Sequence, residues 1–179
     1  MAPPDVSLTT TSYLVLGMVG ELGPSTPYDM KQFVGRSIGY FWSFPHSQLY
    51  AEPVRLVEAG LLTEEVEQGG RKRRTYRLSR AGRKALRQWL AEPTAEPTEI
   101  RDLGLLKLFF GSLTGSPERR ALAEEQRRAH HRRREEYEAL REAVSSVATP
   151  HQLATLEMGL RFERASAAFW TELLDDESF

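Results

Sequence analysis

Between Ser43 and Leu90 the chain runs through helix, strand, tight turn, strand and helix signals in an order that leaves few folds open. An amphipathic segment closes on Glu58-Ala59-Gly60, and a glycine just past the last periodic residue suits a left-handed C-terminal cap. Leu61–Glu67 and Arg74–Ser79 read as two short strands around Gln68–Arg73, which holds a Gly69-Gly70 turn and the run Arg71-Lys72-Arg73-Arg74. Tyr76 and Leu78 share one face of the second strand, and Arg77 takes the other. Ser79 then caps a helix through Leu90, with Ala81, Ala85, Leu86 and Trp89 facing inward.

Helix, hairpin with a basic tip, helix is the layout of a winged helix-turn-helix. Charge supports that reading. From Gln68 to Ala91 there are nine Arg or Lys and no Asp or Glu. Such a concentration beside a candidate reading helix suits a phosphate backbone. Net charge over the whole chain is only -1, but it divides unevenly. Residues 1–92 hold 12 basic and 9 acidic side chains, a net of +3, whereas residues 93–179 hold 12 and 16, a net of -4. The basic half is expected to meet an anion. The absence of cysteine excludes disulfides and thiolate chemistry and fits a reducing cytoplasm. Met1–Ser12 has no basic residue and no apolar core, so no secretory signal is expected there. No apolar run approaches the roughly 20 residues a membrane span requires.

The first helix is expected to begin near Ser12, with threonines before it able to cap, and Tyr13–Val19 is almost wholly apolar. Gly23-Pro24 stops it. Thr26-Pro27 restarts the helical pattern, with Asp29 in the favourable first turn and Met30, Phe33, Val34 and Ile38 on one face. After the aromatic connector Tyr40-Phe41-Trp42, Ser43 and Pro45 are expected to open the third helix, with Leu49, Pro53, Leu56 and Val57 inward and a kink at Pro53. Glu92–Glu99, with two prolines, is a linker. It separates an expected DNA-binding domain, residues 1–92, from a helical domain, residues 93–179. Ile100–Leu113, Pro117 to just before Pro150, and Pro150–Leu174 read as its three helices. The last carries two apolar stripes, one of Leu153, Leu156, Leu160, Ala167, Trp170 and Leu174, the other of Met158, Phe162, Ala165, Phe169 and Leu173. Two stripes call for two partners: the preceding long helix and a second subunit. The fold class is mainly α.

These segments together resemble the PadR-type transcriptional regulators. Ser12–Gly17, Tyr40-Phe41-Trp42, Ser47–Tyr50, Arg55–Leu61, Arg73–Ser79 and Ala81-Gly82 carry the resemblance across about residues 8–92. The second half is similar in pattern to the branch with a virulence-activator-like helical tail. The resemblance implies a homodimer whose paired winged helices bind an inverted-repeat operator. Pro53 departs from it, standing where a plain aliphatic is common.

Base or near-base contacts are expected from His46, Ser47, Gln48 and Tyr50, because the N-terminal residues of a groove-bound helix reach base edges. Arg55, Arg71, Lys72, Arg73, Arg74 and Tyr76 complete the expected DNA-binding set, the cations on phosphate or in the minor groove. Four neutralised phosphates per subunit would give a dimer a salt slope of about -7 from the wing. Leu153, Leu156, Leu160, Phe169 and Trp170 are the expected dimer interface. Other motifs carry less. Arg127–Arg134 is interleaved with glutamates and reads as a solvated helix face. His130 and His131 point about 100° apart on a helix, so no metal site is expected, nor any cofactor. Gly35–Gly39 matches the nucleophile-elbow pattern but lacks a preceding strand, so no enzymatic role is assigned and Ser37→Ala should leave function intact. The alternative to a plain repressor is a regulator whose helical domain senses a hydrophobic or phenolic inducer, with aromatics such as Phe109, Phe110 and Phe162 around it.

Overall fold

The computed structural model describes residues 7–43, 45–69, 72–176 and 179, which form two compact units, the first up to Glu96 and the second from Pro97. The first unit holds α1 (Thr10–Leu22), α2 (Pro27–Gly35), α3 (Gln48–Glu58), the strands β1 (Leu62–Val66) and β2 (Arg74–Leu78), and α4 (Arg80–Ala91). A short 3-10 turn, Ile38–Tyr40, follows α2. The second unit holds α5 (Leu103–Phe109), a 3-10 turn at Gly111–Leu113, α6 (Ser116–Val144) and α7 (Pro150–Asp175). Among the described residues no helix is long and apolar enough to cross a membrane.

Capping chemistry sets most of these boundaries. α1 starts two residues before the expected Ser12 because Thr9 and Ser12 form a reciprocal capping box, each side chain accepting the other's backbone N–H. Thr26 and Asp29 do the same for α2, and Thr149 and Gln152 for α7. Ser79 caps α4 by accepting from the Gly82 N–H at 2.9 Å. α5 is shorter than its apolar pattern, since Asp102 caps it and it passes into a 3-10 turn after Phe109.

The core of the first unit joins Val15, Leu16, Met18 and Val19 of α1 to Met30 and Val34 of α2, Leu49 and Leu56 of α3, Leu62 of β1 and Tyr76 of β2. The strands pair antiparallel with Leu62 opposite Leu78, Glu64 opposite Tyr76 and Val66 opposite Arg74. A third stretch adds to this hairpin: Ser25 and Tyr76 exchange both backbone hydrogen bonds, at 3.1 and 2.9 Å, which ties the entry of α2 to the wing. α4 lies against α1, with Trp89 stacked on Tyr13 at 4.7 Å between ring centroids. Gly82 allows its start to approach the chain entering β1, because a side chain there would collide with the Leu61 carbonyl oxygen.

In the second unit α6 and α7 form an antiparallel pair. Ala123 of α6 packs with Trp170 and Leu174 of α7, and Leu160 and Ala167 are buried along the same seam. This corrects the expected dimer interface. Leu160 (0 % exposed) and Trp170 (1 %) are core of their own chain, whereas Phe169 keeps 38 % exposure. Leu153 and Leu156 are half-buried. The stripe left uncovered is the other one, at Met158, Phe162 and Phe169. Amphipathic periodicity marks both stripes equally, and only packing decides which of them α6 takes.

Candidate nucleic-acid interface

The reading-helix end is exposed and polar. α3 begins at Gln48, later than the Ser43–Pro45 opening expected from its flanking residues. His46 and Ser47 occupy the turn just before it; Ser47 stands at the N-cap position without a side-chain capping bond. His46, Ser47 and Tyr50 are exposed, and Gln48 is half-buried. The helix passes through Pro53, whose ring is fully buried. Leu49, Glu52, Pro53 and Leu56 form the buried side, which turns the short polar residues of the N-terminal end outward.

Arg55 does not belong to that outward face. Its guanidinium clasps the Glu52 carboxylate through two bonds, Nε to Oε2 at 2.9 Å and Nη2 to Oε1 at 2.6 Å. It also donates to the fully buried Ser12 hydroxyl at 2.8 Å. Glu52 is only 6 % exposed. Burial alone would raise its carboxyl, but hydrogen bonds from Arg55 and Ser12 together with the Arg55 charge outweigh it and hold the group below the usual carboxylate range. Where a phosphate contact was expected, Arg55 forms a clamp joining α3 to α1. A charge in the last turn of a helix looks outward until a buried carboxylate one turn earlier claims it.

Tyr76 is corrected in the same way. It is 1 % exposed and forms part of the core, its side chain held between Glu64 and Arg74. Burial first, and then Glu64, pushes its phenol up. Of the wing cations, Arg71 lies outside the described residues. Lys72 is exposed and sits in the left-handed region, with φ 47°. Arg73 reaches the Asp29 carboxylate at 3.5 Å, and Arg74 reaches Glu64 at 3.2 Å. Asp29 is held low first by the Thr26 backbone N–H and hydroxyl it accepts from, with Arg73 adding to the effect. Arg73 and Arg74 are therefore held by carboxylates that a phosphate would have to displace. The acids Asp29, Glu52 and Glu64 were not among the expected site residues; the Glu52–Arg55 spacing of three was the available signal.

Elsewhere the expectations for α6 stand close to the geometry. Arg128, Arg132, Arg133 and Arg134 each have a glutamate of α6 within 4.0 Å, the contacts ranging from 2.9 to 3.8 Å. His130 contacts Glu163 of α7 at 2.6 Å. No group of three or more His, Cys, Asp or Glu that could hold a metal occurs among the described residues. Ser37 follows a helix instead of a strand, and its hydroxyl donates back to the Phe33 carbonyl.

Comparison with known proteins agrees with this layout. Residues 15–88 match the model of the PadR-like transcriptional regulator family, and residues 100–176 match the virulence activator alpha C-terminal model. The negative transcriptional regulator PadR of Bacillus subtilis is 26 % identical over 149 residues, which is 82 % of this chain and 81 % of that protein. Its crystal structure in complex with operator DNA superposes with a TM-score of 0.84 at 24 % identity, covering 93 % of this chain and 98 % of that one. The structure of the same regulator with p-coumaric acid gives 0.79 at 23 %, with the same coverage. With both halves matched and the fold shared along nearly the whole length, the chain belongs to the PadR-like family of transcriptional regulators.

Proposed function

We propose that this regulator binds duplex DNA in a sequence-specific manner, as a homodimer on an inverted-repeat operator, and represses transcription from it in the cytoplasm without catalysing a reaction. The observation that carries the reading is the polar entry of α3, exposed His46, Ser47 and Tyr50 with half-buried Gln48, in the same unit as a hairpin whose tip holds Lys72, Arg73 and Arg74. Helix residues read base edges, and wing cations fix register on phosphate. The uncovered Met158, Phe162 and Phe169 stripe of α7 replaces Leu160 and Trp170 as the surface offered to a second subunit. Exposed Leu106, Phe109 and Leu113 add apolar surface to the same unit.

The test is a footprint of the protein on the DNA upstream of its own gene, followed by anisotropy across a salt series. Protection of two half-sites about one or a few helical turns apart is expected. Replacing Arg73 and Arg74 by alanine should make the salt slope shallower by about 2 per subunit. No binding to any duplex at low salt would overturn the reading, and so would a protein that stays monomeric at micromolar concentration. A ligand-responsive variant of the same function is favoured by one finding, the p-coumaric acid complex of the Bacillus subtilis relative. Calorimetry with phenolic acids separates it from a plain repressor.

A further inference from the structure

The acid-free stretch does not end with the wing. It continues through α4, where Arg80, Arg83, Lys84 and Arg87 fall at spacings of three and four and are all exposed. On a helical wheel they occupy the side opposite Gly82, Leu86 and Trp89, the residues turned toward the core. None of the four has an ion pair or side-chain hydrogen bond to another described residue.

That pattern works against the helix that bears it. Like charges three and four residues apart repel, and cations in the first turns oppose the helix dipole, which favours acids there. α4 has no acidic residue in its first turn. α6 shows what an ordinary solvated basic face looks like in this protein: Arg128, Arg132, Arg133 and Arg134 each find a glutamate on their own helix. α4 has no acid of its own, so among the described residues its four cations stay open to an anion from another molecule.

We infer that the Arg80–Arg83–Lys84–Arg87 stripe of α4 is a second DNA-backbone contact, distinct from the reading helix and the wing. It rests on the DNA-binding reading above. Seven residues of helix advance about 10 Å. Along one strand of duplex that is the axial span of about three successive phosphates, at roughly 3.4 Å each. The bound phosphates belong either to the flanks of the operator or to a second duplex.

The test compares the parent protein with Arg83→Gln/Lys84→Gln/Arg87→Gln, glutamine being a good helix former, and with the charge-keeping Arg83→Lys/Arg87→Lys. Thermal melting by circular dichroism checks that each is folded. Anisotropy is read on a duplex trimmed to the footprint, on the same duplex with long flanks, and in a capture assay in which operator-bound protein recruits a second labelled duplex. The triple variant should show a salt slope shallower by about 2.7 per subunit, and the lysine variant should keep the parent slope. Loss confined to the long-flank duplex places the phosphates on the operator; loss confined to capture places them on a second duplex. Either supports the inference. Equal slopes for parent and triple variant in every format, with the parent still sensitive to Arg73→Ala/Arg74→Ala, overturn it and leave an acidic protein surface as the stripe's partner. A parent protein that binds no duplex overturns the DNA-binding reading itself, and this inference with it.

Discussion

Arg55→Ala separates an internal clamp from a phosphate contact. The substitution leaves Glu52, 6 % exposed, without the two hydrogen bonds and the charge that hold it ionised. Removing one partner of a fully buried ion pair costs about 3–5 kcal/mol. The Arg55 side chain is 36 % exposed, so solvent screens part of the pair, and about 2 kcal/mol is the expected loss at neutral pH. With a urea slope near 2 kcal/mol/M, the midpoint should fall by about 1 M. The sign of the pH dependence is a second check. In the parent the folded Glu52 carboxyl is depressed, so its stabilisation is complete above the unfolded value of about 4.3 and is lost as pH falls through the lower folded value. In the variant burial is opposed only by the Ser12 hydrogen bond, the smaller of the two effects, so the folded value rises. The variant is then penalised at neutral pH and regains stability on acidification. The gap between the two proteins is widest near pH 7 and narrows toward pH 4. Urea titrations followed by circular dichroism at both pH values measure it. Replacing both residues, as Glu52→Met/Arg55→Met, should recover stability to within about 1 kcal/mol of the parent, because no buried charge is left alone. A loss under about 0.5 kcal/mol for Arg55→Ala, together with a DNA salt slope shallower by about 0.9 per subunit, would refute the clamp and restore the phosphate contact.

Three further outcomes follow from the packing. Gly82→Ala forces a methyl group against the Leu61 carbonyl oxygen and should cost about 3 kcal/mol, while Gly17→Ala, with nothing within 4 Å, should gain about 0.5–1 kcal/mol; opposite shifts in melting temperature are the check. Trp170→Ala should remove about 3–5 kcal/mol from the second unit at every protein concentration, as a core residue does, whereas Met158→Ser, at a side chain 65 % exposed, should leave the monomer fold nearly unchanged and weaken self-association in sedimentation. Asp29→Asn, which loses the carboxylate held low by Thr26 and Arg73, should flatten the acid limb of the stability profile, since that contribution is present above about 3.9 and vanishes below the depressed folded value.

The placement of carboxylates changes how the wing's charge should be counted. Arg73 and Arg74 are each paired in the free protein, so DNA gains a phosphate contact at the loss of an internal one. Both pairs are exposed at their arginine ends, which keeps that exchange inexpensive. The salt slope counted from four wing cations, about -7 for a dimer, is therefore an upper bound for the wing. The stripe of α4, unpaired among the described residues, has no such exchange to make.

Local features were legible from residue order alone. Capping threonines, serines and asparates act over three residues, and Gly60 with Ser79 brackets the hairpin; those signals placed the boundaries of α2, α4, α7 and both strands close to where they lie. The acid-free run and the polar residues around Ser47 were legible in the same way, because charge and side-chain type need no partner to be read. Partner choice was not. Arg55 turned inward because Glu52 and Ser12, 43 residues away in the case of the serine, made a better site for it than solvent. Tyr76 went into the core because α1, α2 and α3 close over its face of the strand. α7 offered two apolar stripes, and α6 covered the one bearing Trp170. Chain order carries forces that act within one turn of helix or across one tight bend; only the folded arrangement ranks surfaces that compete for the same neighbour, since that ranking depends on atoms brought together from far along the chain.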